Sequence, residues 1–201
     1  MKKKTLIQKI NDSPFKVYCA IAGAGQSFAV DFLRVSGASN TILGIQIPYS
    51  QYAFDKFVGR KVEKYVSEEA ARKLAVAAYN ECLAAGIESK NAIGLSATCS
   101  LAKDNERSGR EHKMHIAVHT RNITLVVNGI FRPGLNRTLE ERTASQFLLA
   151  VLNKTTCNIK PIMIPDELFG ELHADKANGM DISFLLENPN KIIYLKDIIY
   201  R

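Results

Sequence analysis

The segment Phe15 to Ala22 restricts the fold of this chain more than any other. It is apolar at nearly every position and does not alternate between apolar and polar residues. Such a run is typical of a strand that other elements cover on both faces. Gly23-Ala24-Gly25 follow at once, and apolar side chains then recur at helical spacing to about Val35. A buried strand that turns directly into a helix predicts an α/β fold.

The rest of the sequence continues this alternation. Ser67 is a good N-cap for a long helix that Gly86 ends. The pattern predicts an α/β fold with three layers, α/β/α, and a mixed, mostly parallel sheet. Parallel pairs are expected because the early strands alternate with helices, and the late hairpin adds an antiparallel pair. The other predicted elements are helices at Lys3–Asn11 and Leu139–Leu152 and strands at Thr41–Tyr49, Asn91–Ser96, Lys113–Thr120 and Asn122–Phe131.

The chain of 201 residues is expected to contain one main domain, residues 1–154. After Asn153, proline and glycine interrupt short apolar stretches, and the sequence stops soon after Ile198-Ile199-Tyr200. Residues 155–201 are therefore expected to pack on the domain, to provide a docking strand or to begin a linker.

Composition narrows the class of protein. No apolar run is long enough to span a membrane, and the basic start at Met1 to Lys4 precedes no signal-peptide pattern, so a cytoplasmic location without membrane contact is expected. The net charge of +7 is spread over several loops and there is no Trp, which favours an anionic small ligand or plain solubility over nucleic-acid binding. The four cysteines are scattered and are expected to be reduced and structural.

Several short motifs occur in an order and spacing that together are specific. This chain resembles the carboxy-terminal domain of the CinA family over about Leu6 to Lys154. The resemblance implies the same three-layer α/β/α fold and association as a homodimer. The matching segments are Ala20–Gln26, Ser36–Ser39, Pro48–Ser50, Val66–Ala71, Gly94–Ser96 and Asn136–Arg137.

The characterised members of that family are nicotinamide-nucleotide amidases that need no metal or cofactor, so the resemblance implies a pocket for nicotinamide mononucleotide. Where the family has an acid and then Ser-Cys-Thr, this chain has Ile21 and then Ala22-Gly23-Ala24. Where the family has a lysine it has Phe54, and Lys56 lies two residues further on, rotated by roughly 200° on a helix. The nucleophile and the base of the family are therefore both replaced, and we expect no catalytic residue.

The resemblance also implies which residues contact a small phosphate-bearing ligand. Tyr49 and Arg137 are retained, and Arg137 stands near a helix start where free N–H groups assist phosphate binding. Gly25, Gly94 and Ser96 stand at the other matching positions and are likewise expected to line the pocket.

Two other groups of residues are candidates for functional sites. His112, His115 and His119 look like a metal cluster, but His115 and His119 would lie roughly 13 Å apart along one strand, with His112 on the other side. Half-exposed strand histidines and no metal are the expectation. Ser27 could act as a displaced nucleophile, although a serine at a helix start is more often a cap.

Three functions therefore remain open from the sequence. The first is a catalytically impaired nucleotide-binding or regulatory module. The second is an active amidohydrolase with a rearranged site that uses Ser27 and Lys56. The third is a structural module of a longer nucleotide-processing protein.

Overall fold

The computed structural model describes residues 3–104 and 110–157, together with the backbone of residues 169–175 and 192–195. Within these residues the chain forms five α-helices and seven strands. The helices are α1 Lys3–Asn11, α2 Gln26–Leu33, α3 Gln51–Val58, α4 Glu68–Ala84 and α5 Arg137–Thr156. The strands are β1 Lys16–Ala22, β2 Ile42–Gln46, β3 Ala92–Cys99, β4 Lys113–His119, β5 Thr124–Phe131, β6 Phe169–Asp175 and β7 Ile192–Leu195.

The strands form a single mixed sheet in the order β2-β1-β3-β4-β5-β6-β7. Strand β1 pairs in parallel with β2 and β3, and the pairs from β3 to β6 are antiparallel. Strands β6 and β7, which belong to residues 155–201, extend the sheet beyond β5 and are parallel to each other. The predicted mixed α/β sheet is confirmed, with parallel pairs at β1-β2, β1-β3 and β6-β7 and antiparallel pairs between them. The apolar residues Ile198 to Tyr200 lie outside the described residues.

Helices cover both faces of the sheet. On one face, Cys19 and Ile21 of β1 belong to the same core as Phe28 of α2 and Phe147 of α5. On the other face, Ala20 and Ala22 pack with residues of α3 and α4, including Phe54 and Leu74. Burial on both faces explains why the β1 sequence is almost continuously apolar.

A helix was expected at Phe54 and Lys56 but without bounds, and the boundary signals of α3 stand in the sequence. The side chain of Ser50 accepts a hydrogen bond from the N–H of Ala53, and Gly59 ends the helix with a positive φ of 82°. Both are ordinary helix-end signals. The helix matters for function because it carries Phe54 to the end of β1.

Strand β3 is longer than predicted. Thr98 and Cys99 lie beyond the predicted end at Ser96, yet they pair with His115 and Met114 of β4. The antiparallel partner satisfies their backbone groups, and this information lies elsewhere in the chain. As a result Thr98 and Cys99 stand beside the carboxyl end of β1.

Candidate functional site

A cleft of about 290 Å³ opens at the carboxyl ends of β1 and β3, beside the loop that follows β2. The carboxyl ends of parallel strands meet at one edge of a sheet, which is where α/β proteins usually bind ligands. The cleft is lined by Ala22, Gly23, Pro48, Tyr49, Ser50, Gln51, Phe54, Tyr65, Val66, Thr98, Cys99, Ser100, Leu101, Lys103, Arg110 and Arg137.

Arg137 and Tyr49 meet at the mouth of the cleft. The guanidinium of Arg137 donates one hydrogen bond to the phenol oxygen of Tyr49 at 3.4 Å and another to the carbonyl of Ala102 at 3.1 Å. Asn136 caps α5 by accepting a hydrogen bond from the N–H of Leu139 at 2.9 Å. The first residue of a long helix thus connects the loop after β2 with the loop after β3.

The polar part of the cleft is cationic. Arg137 is joined by Lys103 and Arg110, while none of the described lining residues carries a carboxylate. Charges that share one cleft with low-dielectric walls reinforce each other's attraction for an anion. The cleft is therefore suited to a negatively charged group such as a phosphate.

The base of the cleft is apolar. The side chain of Ala22 is 8% exposed and that of Phe54 is 2% exposed. The ring of Tyr65 stands edge-on against Phe54, with ring centroids 5.2 Å apart. The Tyr65 hydroxyl donates to the two carboxylate oxygens of Asp55 at 3.0 and 3.1 Å. Desolvation, with the hydrogen bond to Asp55 and its charge, raises the pKa of the Tyr65 phenol.

The hydroxyls of the cleft are already hydrogen-bonded. Thr98 donates to the carbonyl of Tyr65 at 2.5 Å, Ser50 accepts from Ala53, and Ser100 accepts from the backbone N–H of Lys113 at 2.9 Å. In the described part of the chain, no histidine, lysine or carboxylate side chain is hydrogen-bonded to these three hydroxyls. A hydroxyl nucleophile needs such a base.

The thiol of Cys99 is inactive for a different reason. Burial raises its pKa to about 12, so the thiol is protonated near neutral pH. Two backbone hydrogen bonds favour the thiolate but do not outweigh the desolvation. The sulfur of Cys99 thus lies in the cleft wall as a protonated thiol, which is a poor nucleophile.

The structure brings together four positions that the resemblance singled out. Ala22, Tyr49, Phe54 and Arg137 all line the cleft, while the exposed side chain of Lys56 is not among the lining groups. A methyl group and a phenyl ring therefore line the cleft at the two positions that the resemblance assigned to the family's nucleophile and lysine.

Three other residues expected to contact a ligand have packing roles instead. A Cβ on Gly25 would lie 2.6 Å from Cδ1 of Leu148, and a Cβ on Gly94 would lie 1.9 Å from the carbonyl oxygen of Ala75. Ser96 is fully buried and donates to the carbonyl of Ala71 at 2.7 Å. Gly94 and Ser96 thus let α4 approach β3, and Gly25 accommodates α5. The glycine that does line the cleft is Gly23.

Ser27 lies apart from the cleft and is held by Glu141 of α5. Its hydroxyl donates to one carboxylate oxygen at 2.6 Å and its N–H to the other at 2.8 Å. Ser145 also donates to Glu141, at 3.0 Å. The sequence suggested Ser27 as the cap of α2. The N-cap residue is instead Gly25, which has no side chain to accept a hydrogen bond, and Glu141 of α5 accepts one from the N–H of Ser27. Because Ser27 lines another cavity, the structure does not bring it together with Lys56.

The histidines are part of the sheet and its packing. His115 and His119 hydrogen-bond Asn128 and Thr124 of β5 at 2.7 and 2.6 Å, and burial lowers the pKa of both imidazoles. His112 contacts Glu140 of α5 at 2.5 Å, on the opposite face. In the described ranges no three His, Cys, Asp or Glu side chains are grouped as metal ligands.

The cleft also contains residues that the sequence did not indicate. Tyr65 lay in an unassigned stretch, and Lys103 and Arg110 contributed only to the net charge. Their common signal is weak: each stands in a loop next to an element that ends or begins at the cleft.

None of the helices in the described part of the chain has the length and apolar character required to cross a membrane.

The fold is similar to that of solved structures from the CinA superfamily. The chain is similar to a CinA superfamily protein from Enterobacter cloacae, with 13% identity and a TM-score of 0.64 over 77% of this chain and 92% of that one. A competence or damage-inducible protein from Enterobacter asburiae gives 16% identity and a TM-score of 0.62 over 77% and 98%. One from Agrobacterium tumefaciens gives 20% identity and 0.55 over 76% and 90%.

Sequence comparison gives no corresponding result, since neither a family model nor a curated protein matches the chain. The likeness to the CinA superfamily is therefore a likeness of fold. It confirms the fold that the motif order predicted.

Proposed function

We propose that this chain is a binding module for a small phosphate-bearing ligand, and that it does not hydrolyse the amide of nicotinamide mononucleotide. One observation carries the proposal: Arg137, Lys103 and Arg110 line the same cleft as Ala22 and Phe54. The groups suited to hold an anion are present, whereas the groups that would cleave an amide are replaced by apolar side chains.

The anion would be held at the mouth of the cleft. Arg137 already donates to two neutral acceptors, Tyr49 and Ala102, and its remaining guanidinium N–H groups suit a phosphate. The free N–H groups in the first turn of α5 add to this attraction. Charged hydrogen bonds of this kind contribute roughly 1.5 to 3 kcal/mol each.

Hydrolysis would require a nucleophile, and the described lining offers none that is activated. The Cys99 thiol is protonated, with a pKa of about 12, and the three hydroxyls lack a basic partner. Loss of the nucleophile alone lowers the kcat of a hydrolase by about a million-fold. We therefore expect binding without turnover.

The test is calorimetric titration of nicotinamide mononucleotide into the full chain, with ammonia release measured on the same sample. Saturable binding that Arg137→Ala weakens at least tenfold, with ammonia at the background level, supports the proposal. Arg121→Ala is the matched control, because it removes the same charge from an exposed position outside the cleft lining. Ammonia release at an ordinary enzymatic rate would contradict the proposal.

The structural-module alternative makes a different prediction for the same titration. A module that serves only as a scaffold gives no heat and no shift in melting temperature with millimolar ligand. The cationic lining of the cleft favours the binding function, because a bound anion relieves the repulsion between like charges in one cleft.

A further inference from the structure

The base of the cleft differs in chemistry from its mouth, and this difference bears on the ligand. Resting on the function proposed above, we infer that the cleft selects a phosphate monoester of an uncharged apolar or aromatic group, in preference to a ligand with a carboxamide or a cationic ring. The phosphate would lie at Arg137 and the apolar group against Phe54 and Tyr65.

The surfaces at the base are apolar on several sides. The methyl group of Ala22, the ring of Phe54 and the side chain of Leu101 are each less than one-tenth exposed. The Tyr65 ring completes this wall and is fixed in place, because Phe54 packs against it and Asp55 binds its hydroxyl. A fixed apolar wall binds a flat apolar group without an entropic cost for ordering the wall.

A carboxamide would find few partners at this base. It brings two N–H donors and a carbonyl acceptor that must leave water. The Tyr65 hydroxyl donates its proton to Asp55 and the Thr98 hydroxyl donates its proton to the carbonyl of Tyr65, so neither offers a donor to the carboxamide oxygen. The protonated thiol of Cys99 is a weak hydrogen-bonding group. Burying an unpaired amide weakens binding by roughly tenfold or more.

A cationic ring is disfavoured for an electrostatic reason. Lys103, Arg110 and Arg137 line the cleft, and no carboxylate is among its described lining residues. The Asp55 carboxylate, which accepts the Tyr65 hydroxyl, does not line the cleft. A phosphate ester with a neutral ring keeps the attraction for the anion and avoids repulsion of a cation.

The experiment compares three probes on the full chain by calorimetry: inorganic phosphate, phenyl phosphate and nicotinamide mononucleotide. We expect phenyl phosphate to bind at least tenfold more tightly than either of the others. Phe54→Leu should reduce the ratio of phenyl phosphate affinity to phosphate affinity by about fivefold. Arg137→Ala should weaken both of these probes while leaving their ratio unchanged. If Phe54→Leu does not fold, the affinities of the unmodified chain for the three probes still test the inference.

The outcomes separate this inference from the function on which it rests. If nicotinamide mononucleotide binds as tightly as phenyl phosphate or more tightly, the selectivity is wrong and the binding function stands. If phosphate alone binds as tightly as phenyl phosphate, the apolar base makes no contribution and the inference is again wrong. If none of the three probes binds at millimolar concentration, both proposals fail.

Discussion

Arg137 and Tyr49, 88 positions apart in the chain, are joined by a hydrogen bond of 3.4 Å across the mouth of the cleft. Arg137 opens α5 and Tyr49 follows β2, so this contact connects opposite ends of the domain sequence. The other arm of the guanidinium holds the loop after β3 through Ala102. Three segments that would bind one ligand therefore meet at one side chain.

Tyr49→Phe removes the hydroxyl partner of Arg137 and leaves the charge in place. The hydrogen bond is longer than usual and Tyr49 is 67% exposed, so we expect the free energy of unfolding to change by less than about 0.5 kcal/mol. Affinity for nicotinamide mononucleotide should fall by about twofold, against at least tenfold for Arg137→Ala. An equal loss in the two variants would show that the phenol, and not the cation, dominates binding.

Gly94→Ala should destabilise the domain by about 3 kcal/mol, because the added methyl group would lie 1.9 Å from the carbonyl oxygen of Ala75 and force α4 away from β3. Gly59→Ala is the matched control. Its φ is positive but a Cβ there would meet no atom within 4 Å, so about 1 kcal/mol is expected from backbone strain alone. Urea unfolding measures the free energy of unfolding of both variants. A similar decrease in the two would show that close packing against α4 is not what requires a glycine at position 94.

Glu141→Ala should destabilise the domain by about 2 kcal/mol, because two hydrogen bonds to the first turn of α2 are lost. Ser27→Ala removes one of these bonds and should cost about 1 kcal/mol. The effects of the two substitutions should not add, since both remove the same contact. Full additivity in a double-mutant cycle would contradict the capping role of Glu141.

Cys99 should resist alkylation in the folded protein. Its pKa of about 12 leaves a thiolate fraction of roughly one in ten thousand at pH 8, and the rate should rise with pH as the thiol ionises. Cys157 is partly exposed and should react first, which peptide mapping after iodoacetamide treatment would show. Rapid labelling of Cys99 at pH 7 in the folded state would mean that the thiol is activated after all.

Burial lowers the pKa of both His115 and His119, so the folded state binds fewer protons than the unfolded state below pH of about 6.5. The stability contributed by the neutral imidazoles is therefore present above that pH and is lost as the pH falls through the folded-state pKa values. His115→Gln should reduce this loss, as measured by urea unfolding at pH 5 and pH 7. An unchanged pH dependence would show that His115 does not contribute to it.

Local sequence signals were sufficient for much of the fold. The continuous apolar run of β1 predicted a central strand, and Ser67 with Gly86 bounded α4 within two residues. Such signals act within a few residues, so they can be read without knowledge of the partner. Helix α3 has signals of the same kind in Ser50 and Gly59, which bound it in the same way.

Other features depend on contacts that are distant in the chain. Gly94 and Ser96 were expected in the ligand site because they stand at positions that match the family, but their role depends on α4, which lies over them. Tyr65 belongs to the cleft because Phe54 and Asp55 orient its ring and hydroxyl. No pattern along the sequence records which helix covers which strand.

The sequence alone determined the types of side chain available: alanine and phenylalanine at two positions where a nucleophile and a base are expected, and an arginine at the start of α5. Only the tertiary structure decided that Arg137, Lys103 and Arg110 face the same cleft and that Ser27 does not. The physical reason is that residue chemistry is a local property, whereas the shape and charge of a cleft arise from the packing of separate helices and strands around one sheet.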